Sequence, residues 1–274
     1  MERHERRLAA TAFAGVMVSA FALCVGCSDA KEAVPKVRFR AAGDYFQINR
    51  GDGWKHFLSV GVNLAVAKPS YYPGELAATR DDYDRWLAGI AAMGANTVRL
   101  YTLHFPYFYD AFAAWNRDHS DQPLYLIQGI WLDEIEHGDY ISDTSDQLDE
   151  EIRYVVDAVH GAADVPARFG KAYGNFHTDV SPWLLGYLPG HEMDGKLVTD
   201  GNDKWAEYTV YDGRYVRASE GLPIEAWVAR GLDLVATMEV DRWGGDVPVG
   251  WSSWPPLDPI HHPTETKAFR QDLV

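Results

Sequence analysis

Apolar and polar positions follow two periods along this chain, and the period switches several times. Residues 37–48 and 54–62 are rich in β-forming side chains and flank Asn49-Arg50-Gly51-Asp52-Gly53. Asp-Gly between alternating apolar runs predicts an N-terminal β-hairpin. The second run continues as HFLSVGVNLA, the pattern of a buried strand. DDYDRWLAGIAAMG (81–94) then places Tyr83, Trp86, Leu87 and Ile90 on one helical face, with Gly94 as its C-terminal cap. NTVRLYTL (96–103) reads as a strand. PYFYDAFAAWNRDH (106–119) reads as a helix with Pro106 in its first turn. PLYLIQGIWL (123–132) is a strand, apolar almost throughout. Residues 144–161 put Leu148, Ile152, Val155, Val156 and Val159 on one helical face and end at Gly161. WLLGYL (183–188) is the next strand, 222–245 a long amphipathic helix, and VPVGWSSW (247–254) a fifth strand.

Strands apolar on both faces, each followed by a helix, imply a parallel β/α architecture. The stretches after the strands are long and rich in Trp, Tyr, His, Asp and Pro, whereas the links from helix to strand are mostly short, as in MGAN. That asymmetry suits a (β/α)8 TIM-barrel type of fold with its site at the C-terminal ends of the strands. An open doubly wound sheet is the alternative, although no glycine-rich phosphate loop follows the first strand. Only about five β/α units fit, because 255–274 holds no convincing strand. The expectation is therefore an incomplete barrel over residues 37–274, either an N-terminal piece of a longer enzyme or a barrel completed by other means. The acidic segment 143–151 reads as the solvated start of a helix, where negative charge suits the dipole.

Composition narrows the classes of function. Of 274 residues, 47 % are hydrophobic and ten are Trp, enough for a sizeable core and for flat platforms on which sugar rings stack. The formal charge of −15 disfavours nucleic acid as a partner. Residues 1–27 read as an export signal: MERHERR, then LAATAFAGVMVSAFALCVG, then Cys27. Val25-Gly26-Cys27 resembles the bacterial lipobox, with Cys24 where leucine is usual, and implies acylation at Cys27. A plain signal peptide and a single membrane-spanning anchor are the alternatives. The lipid-anchored reading places the protein in the bacterial cell envelope, on the periplasmic or cell-surface side, with 28–36 as a short polar tether. Cys24 and Cys27 are the only cysteines, so the remainder has no disulfide and no thiol chemistry.

The candidate chemistry centres on WLLGYLPGHEMDG (183–195), where an apolar strand ends in His191 and Glu192. A carboxylate partly buried among aromatics at the C-terminal end of a barrel strand suits a general acid, holding a proton for a leaving oxygen. Here the chain resembles the clan A glycoside hydrolases, TIM-barrel enzymes that include family 5 and the catalytic domain of family 2. The likeness runs from about residue 44 to 265. It rests on Gly61–Asn63 ("GVN"), Met93–His104 ("MGANTVRLYTLH"), Leu124–Glu134 ("LYLIQGIWLDE") and Leu184–Glu192 ("LLGYLPGHE"). The resemblance implies hydrolysis of a β-linked glycan by a retaining mechanism, with Glu192 as catalytic acid/base. It puts His191 where that clan usually has the asparagine that contacts the neighbouring sugar hydroxyl. Arg99 matches the arginine that orients the nucleophile. The nucleophile itself is expected on a seventh strand, beyond the five read here.

Further residues are candidates for sugar contact. Trp131, Trp251 and Trp254 lie at or near strand ends and suit stacking on sugar rings or packing in the core. Tyr101 and His104 close the second strand, and Asn63 the first. Asp133, Glu134 and Asp258 fall on the same side and suit sugar hydroxyls, with a nucleophilic role the less expected one. The long connection 193–221 is expected to fold over the cleft beside Glu192. His261, His262 and Glu265 do not make a metal site, since adjacent imidazoles diverge and no metal-ligand spacing is present. No Gly-x-Ser-x-Gly motif occurs, which speaks against a serine hydrolase. Neither metal nor cofactor is expected. A carbohydrate-binding lipoprotein without catalysis, built on a degenerate barrel, is the alternative from a different class.

Overall fold

The chain opens with three short antiparallel strands whose apolar side chains alternate. They are β1 (Arg38–Ala42), β2 (Tyr45–Asn49) and β3 (Trp54–Phe57), paired in the order β1-β2-β3. The computed structural model describes residues 37–254 and Leu257. The export segment with Cys27, and the later candidates Asp258, His261, His262 and Glu265, lie outside the described residues. The expected hairpin is thus a three-stranded meander, because Gly43 at φ +70° supplies a turn inside the first run. Its second run also divides: 54–57 closes the meander, and 61–64 joins a different sheet.

That second sheet is parallel. β4 (Gly61–Leu64), β5 (Thr97–Leu100), β6 (Tyr125–Ile130) and β9 (Leu184–Pro189) lie side by side in that order. The right-handed twist of strands and the length of parallel crossovers require helices between them. These are α1 (Arg80–Ala92) and α2 (Pro106–Asp118), followed between β6 and β9 by the short α3 (Tyr140–Asp143) and by α4 (Ser145–Val159). Leu148, Ile152, Val155, Val156 and Val159 of α4 are wholly buried, as their 3.6-residue spacing implies. α1 begins at Thr79 in a capping box with Asp82. Lys68 and Arg85 both bind Asp82, and these cations, with the Thr79 hydrogen bonds first, hold its carboxyl well below the usual range.

Two short antiparallel pairs complete the order, β7 (Ala163–Val165) with β8 (Gly174–Phe176), and β10 (Tyr211–Asp212) with β11 (Arg217–Ala218). α5 (Gly195–Lys204) and α6 (Pro223–Thr237) follow β9, and α6 runs on into a wider π turn over Met238–Arg242. The expected fifth strand is not formed as such. Val249 makes one parallel bridge to Tyr187, and the amides of Tyr187 and Gly250 bond across this seam at 3.0 and 3.1 Å. A side chain at Gly186 would strike the Pro248 carbonyl, so the two backbones are in close contact there. Pro248 has no amide to give a continuous ladder. Among the described residues the sheet does not close into a barrel.

The meander covers one end of this sheet. Phe39 and Phe57 meet Tyr125, the first residue of β6, edge to face at 4.9 and 5.4 Å. Arg50 reaches the Tyr125 hydroxyl at 3.0 Å, and the Val37 amide bonds the Pro182 carbonyl just before β9. The N-terminal ends of the strands are thereby plugged, and the C-terminal ends are left open.

The hairpin β7–β8 was not legible in the periodicity. Its connection, residues 166–173, is fastened to α4 through Glu151, whose side chain is 1 % exposed. Arg168 grips this carboxylate at 2.5 and 3.2 Å, and Lys171 stands 3.6 Å away. Removing one member of a buried charge cluster strands the others. Glu151→Ala should cost about 3–5 kcal/mol, read as a lower urea midpoint; a shift under about 1 kcal/mol would show that the cluster is solvated.

Candidate active site

A cavity of about 770 Å³ opens at the C-terminal ends of the parallel strands. Volumes of this size take small organic ligands. Each strand end contributes to its wall: Leu64 at the end of β4, Arg99 and Tyr101 with β5, Trp131, Asp133 and Glu134 after β6, and His191 and Glu192 after β9. His104, Ser252 and Trp254 add to it.

The turn that delivers Glu192 has an identifiable cause. Gly190 follows β9 at φ +89°, a conformation that a side chain disfavours, and its amide bonds the Ile130 carbonyl at 3.1 Å. A Cβ there would lie 2.5 Å from the Trp251 indole. The chain can therefore leave the strand sharply and lay His191 flat on Trp131, ring centroids 4.7 Å apart at 14°. His191 is buried and its Nε2 has no partner among the described residues. Burial lowers its basicity, while the carboxylates of Glu134 and Glu192 pull the other way. Glu192 itself is exposed, not partly buried among aromatics, because the turn swings it outward into the cavity.

Arg99 is half-buried in the wall. Its Nη2 donates to Ser252 Oγ at 3.0 Å, tying β5 to the 247–252 segment, and its guanidinium lies 4.5 Å over Tyr101. Its Nε is buried without an acceptor among the described residues. His104 is wholly buried; its Nδ1 meets the Tyr83 hydroxyl at 2.8 Å and its Nε2 has no partner. Desolvation pushes the His104 pKa down to about 3, so the ring is neutral.

Several expectations meet the structure differently. Trp251 does not reach the cavity: it packs edge-on against Trp227 at 5.6 Å and covers Gly190. Asn63 is exposed on the outer strand β4, and the cavity wall begins one residue later. The 193–221 connection does not cover the cleft. It folds into α5 and the β10–β11 pair, held by the Tyr140 hydroxyl on the Asp194 amide and by Asp233 on the amides of Tyr215 and Val216. The cavity walls come instead from 64–76 and from Phe169–Ala172, the latter in the connection of the β7–β8 hairpin. Lys171 from that connection holds Asp133 at 2.6 Å. Lys171, Phe169 and Ser252 were not anticipated, since nothing in their spacing marks them. Tyr101 and Trp254 line the cavity with exposed rings. Among the described residues no group of His, Cys, Asp and Glu could hold a metal, and no helix is long and apolar enough to cross a membrane.

The chain was compared with known protein families, curated proteins and solved structures, and none matches it.

Two outcomes follow for the site. Gly190→Ala should destabilise by roughly 2–4 kcal/mol, from the positive φ and the overlap with Trp251; denaturant titration measures it, and an unchanged midpoint would refute the strained turn. His104 lies below its unfolded pKa of 6.5, so the folded state resists protonation. Stability is retained above pH 6.5 and falls as pH drops toward 3, by about 2 kcal/mol at pH 5. Replacing His104 with Asn should flatten that part of the stability–pH curve, and a curve of unchanged slope would assign the loss to other groups.

Proposed function

We propose that this chain is a glycoside hydrolase that cleaves a β-linked glycan with Glu192 as acid/base, on a framework of (β/α)8 type resembling clan A. One observation carries the reading. Glu192 stands in a sugar-sized cavity at the C-terminal ends of parallel strands, beside a stacked Trp131–His191 pair and across from Arg99. Open α/β sheets and barrels both place their chemistry at this end, because loops there converge without disturbing the strand core. In this reading His191 gives a hydrogen bond from Nε2 to a sugar hydroxyl, in place of the asparagine usual in that clan. Trp131, Tyr101 and Trp254 offer ring faces to sugar, and His104 Nε2 and the Arg99 Nε–H still lack partners among the described residues.

The second reading is carbohydrate binding without catalysis. The exposure of Glu192 favours it, since acid catalysis is helped by a site that excludes water and this carboxyl is not shielded from it. Glycan hydrolysis separates the two. Under the hydrolase reading, Glu192→Gln lowers turnover of a phenyl glycoside by about 10²–10⁴-fold with little change in glycan affinity. A wild-type chain that binds glycan without turning it over, and whose affinity falls on Trp254→Ala, would establish the binding reading instead.

We also propose export and lipid anchoring through Cys27, supported by the apolar run that ends in Val25-Gly26-Cys27. Labelled palmitate should enter the wild-type chain in a bacterial host and be absent from Cys27→Ser; equal labelling of both would refute it.

A further inference from the structure

Between α4 and β9 the chain makes an excursion that the connection does not need. The Val180 amide bonds the Val159 carbonyl at 2.9 Å, and His160 bridges Asp179. Residues 161–178 therefore leave the foot of α4 and return to it. A passage from helix to strand belongs at the N-terminal ends of the strands, away from the cavity. Here it carries the β7–β8 hairpin, with β7 against α4 and β8 against α2. Phe176 meets Tyr109 edge-on at 5.5 Å, and Tyr173 meets Phe105 edge-on at 5.4 Å. The tip of the hairpin arrives at the other end of the sheet, where Phe169, Gly170, Lys171 and Ala172 line the cavity.

That tip is fixed on both sides of Phe169. Arg168 grips Glu151 of α4 at 2.5 Å and donates to the Ala172 carbonyl at 3.0 Å. Lys171 holds Asp133 after β6 at 2.6 Å. Gly170, at φ +70°, turns the chain between the two cations. Phe169 itself is 103 % exposed. A single exposed apolar side chain on an open surface is ordinary. This one stands on a cavity wall, on backbone held by ion pairs, and a phenyl ring has only two side-chain torsions to order. A ligand that stacks on it loses little freedom of the protein.

The rings of the cavity are graded by exposure. Trp131 is half-buried against His191, Tyr101 and Trp254 are 38 % and 37 % exposed, and Phe169 is bare. A wholly exposed ring that still lines the cavity belongs to its rim. The cavity volume of about 770 Å³ also lies in the upper part of the range of ~300–1,000 Å³ that takes ligands larger than one sugar ring. We propose that Phe169 is a distal stacking platform, and that the ligand of this cavity is an oligosaccharide chain rather than a single glycosyl unit. This rests on the carbohydrate reading of the cavity, in its hydrolytic or its binding form. One unit of the chain lies by Glu192 and Trp131, and a later unit lays the apolar C–H face of its ring on Phe169. In the hydrolytic form, energy gained at that distance also favours turnover of long substrates over short ones.

Calorimetric titration of the full chain, carrying Glu192→Gln so that no ligand is consumed, tests this with cello-, xylo- and manno-oligosaccharides of one to six units. Affinity should rise at least tenfold from the monosaccharide to the hexasaccharide of the preferred series. Adding Phe169→Ala should weaken hexasaccharide binding about tenfold and disaccharide binding no more than twofold, and Phe169→Trp should restore the hexasaccharide. Melting curves of both Phe169 variants should overlay that of their parent, because the ring is exposed. Hexasaccharide affinity unmoved by Phe169→Ala, an equal loss at both lengths, or affinity that does not rise with length would overturn the platform and leave the carbohydrate reading intact. A chain that binds no member of any series would overturn both.

Discussion

Parallel pairing of β6 with β9 is the constraint on which the rest of the structure depends. Those two strands carry the neighbouring ends that bear Trp131, Asp133, Glu134, His191 and Glu192. Parallel neighbours must point the same way, so whatever follows each strand arrives at the same edge of the sheet. Here that edge is open, because the meander blocks the other one with Phe39 and Phe57 against Tyr125. Residues more than fifty positions apart in sequence come together without any contact designed for the purpose.

Precision at that edge comes from a few positions that break regularity. Gly190 takes a backbone conformation that side chains disfavour, and the Trp251 indole occupies the volume a Cβ would need. The sharp exit from β9 follows from these two facts, and so does the outward swing of Glu192. The opposite wall depends on charge. Glu151 sits inside the fold with Arg168 and Lys171 around it, and Lys171 extends the chain of charges to Asp133. Such a cluster is stable only while complete, since each charge removed leaves another unpaired in a poorly solvated place. The 166–173 connection is held against the cavity by that condition.

Much of the fold was legible in the sequence because burial imposes a period. The helical face of Leu148, Ile152, Val155, Val156 and Val159 is wholly buried, and PLYLIQGIWL contains β6. Elements without a period were missed. β7, β8, β10 and β11 are two or three residues long, too short for alternation to register. The fifth strand was overread: VPVGWSSW has the composition of a strand, but Pro248 lacks the amide that a continuous ladder requires, and one bridge remains. The 193–221 connection was read as a cover for the cleft on length alone, whereas Asp233 and Tyr140 hold it away.

For the site, the sequence by itself determined which groups the strand ends could offer. Arg99, Tyr101, His104, Trp131, Asp133, Glu134, Glu192 and Trp254 all line the cavity, because strand direction and a count of residues suffice to place them at one edge. Only the tertiary structure decided their condition. It turned Trp251 inward onto Trp227, left Asn63 outside the wall, exposed Glu192, and paired Asp133 with Lys171. These outcomes depend on which neighbour fills a given volume or meets a given charge. Such neighbours are distant in the chain, so no local pattern of residues encodes them.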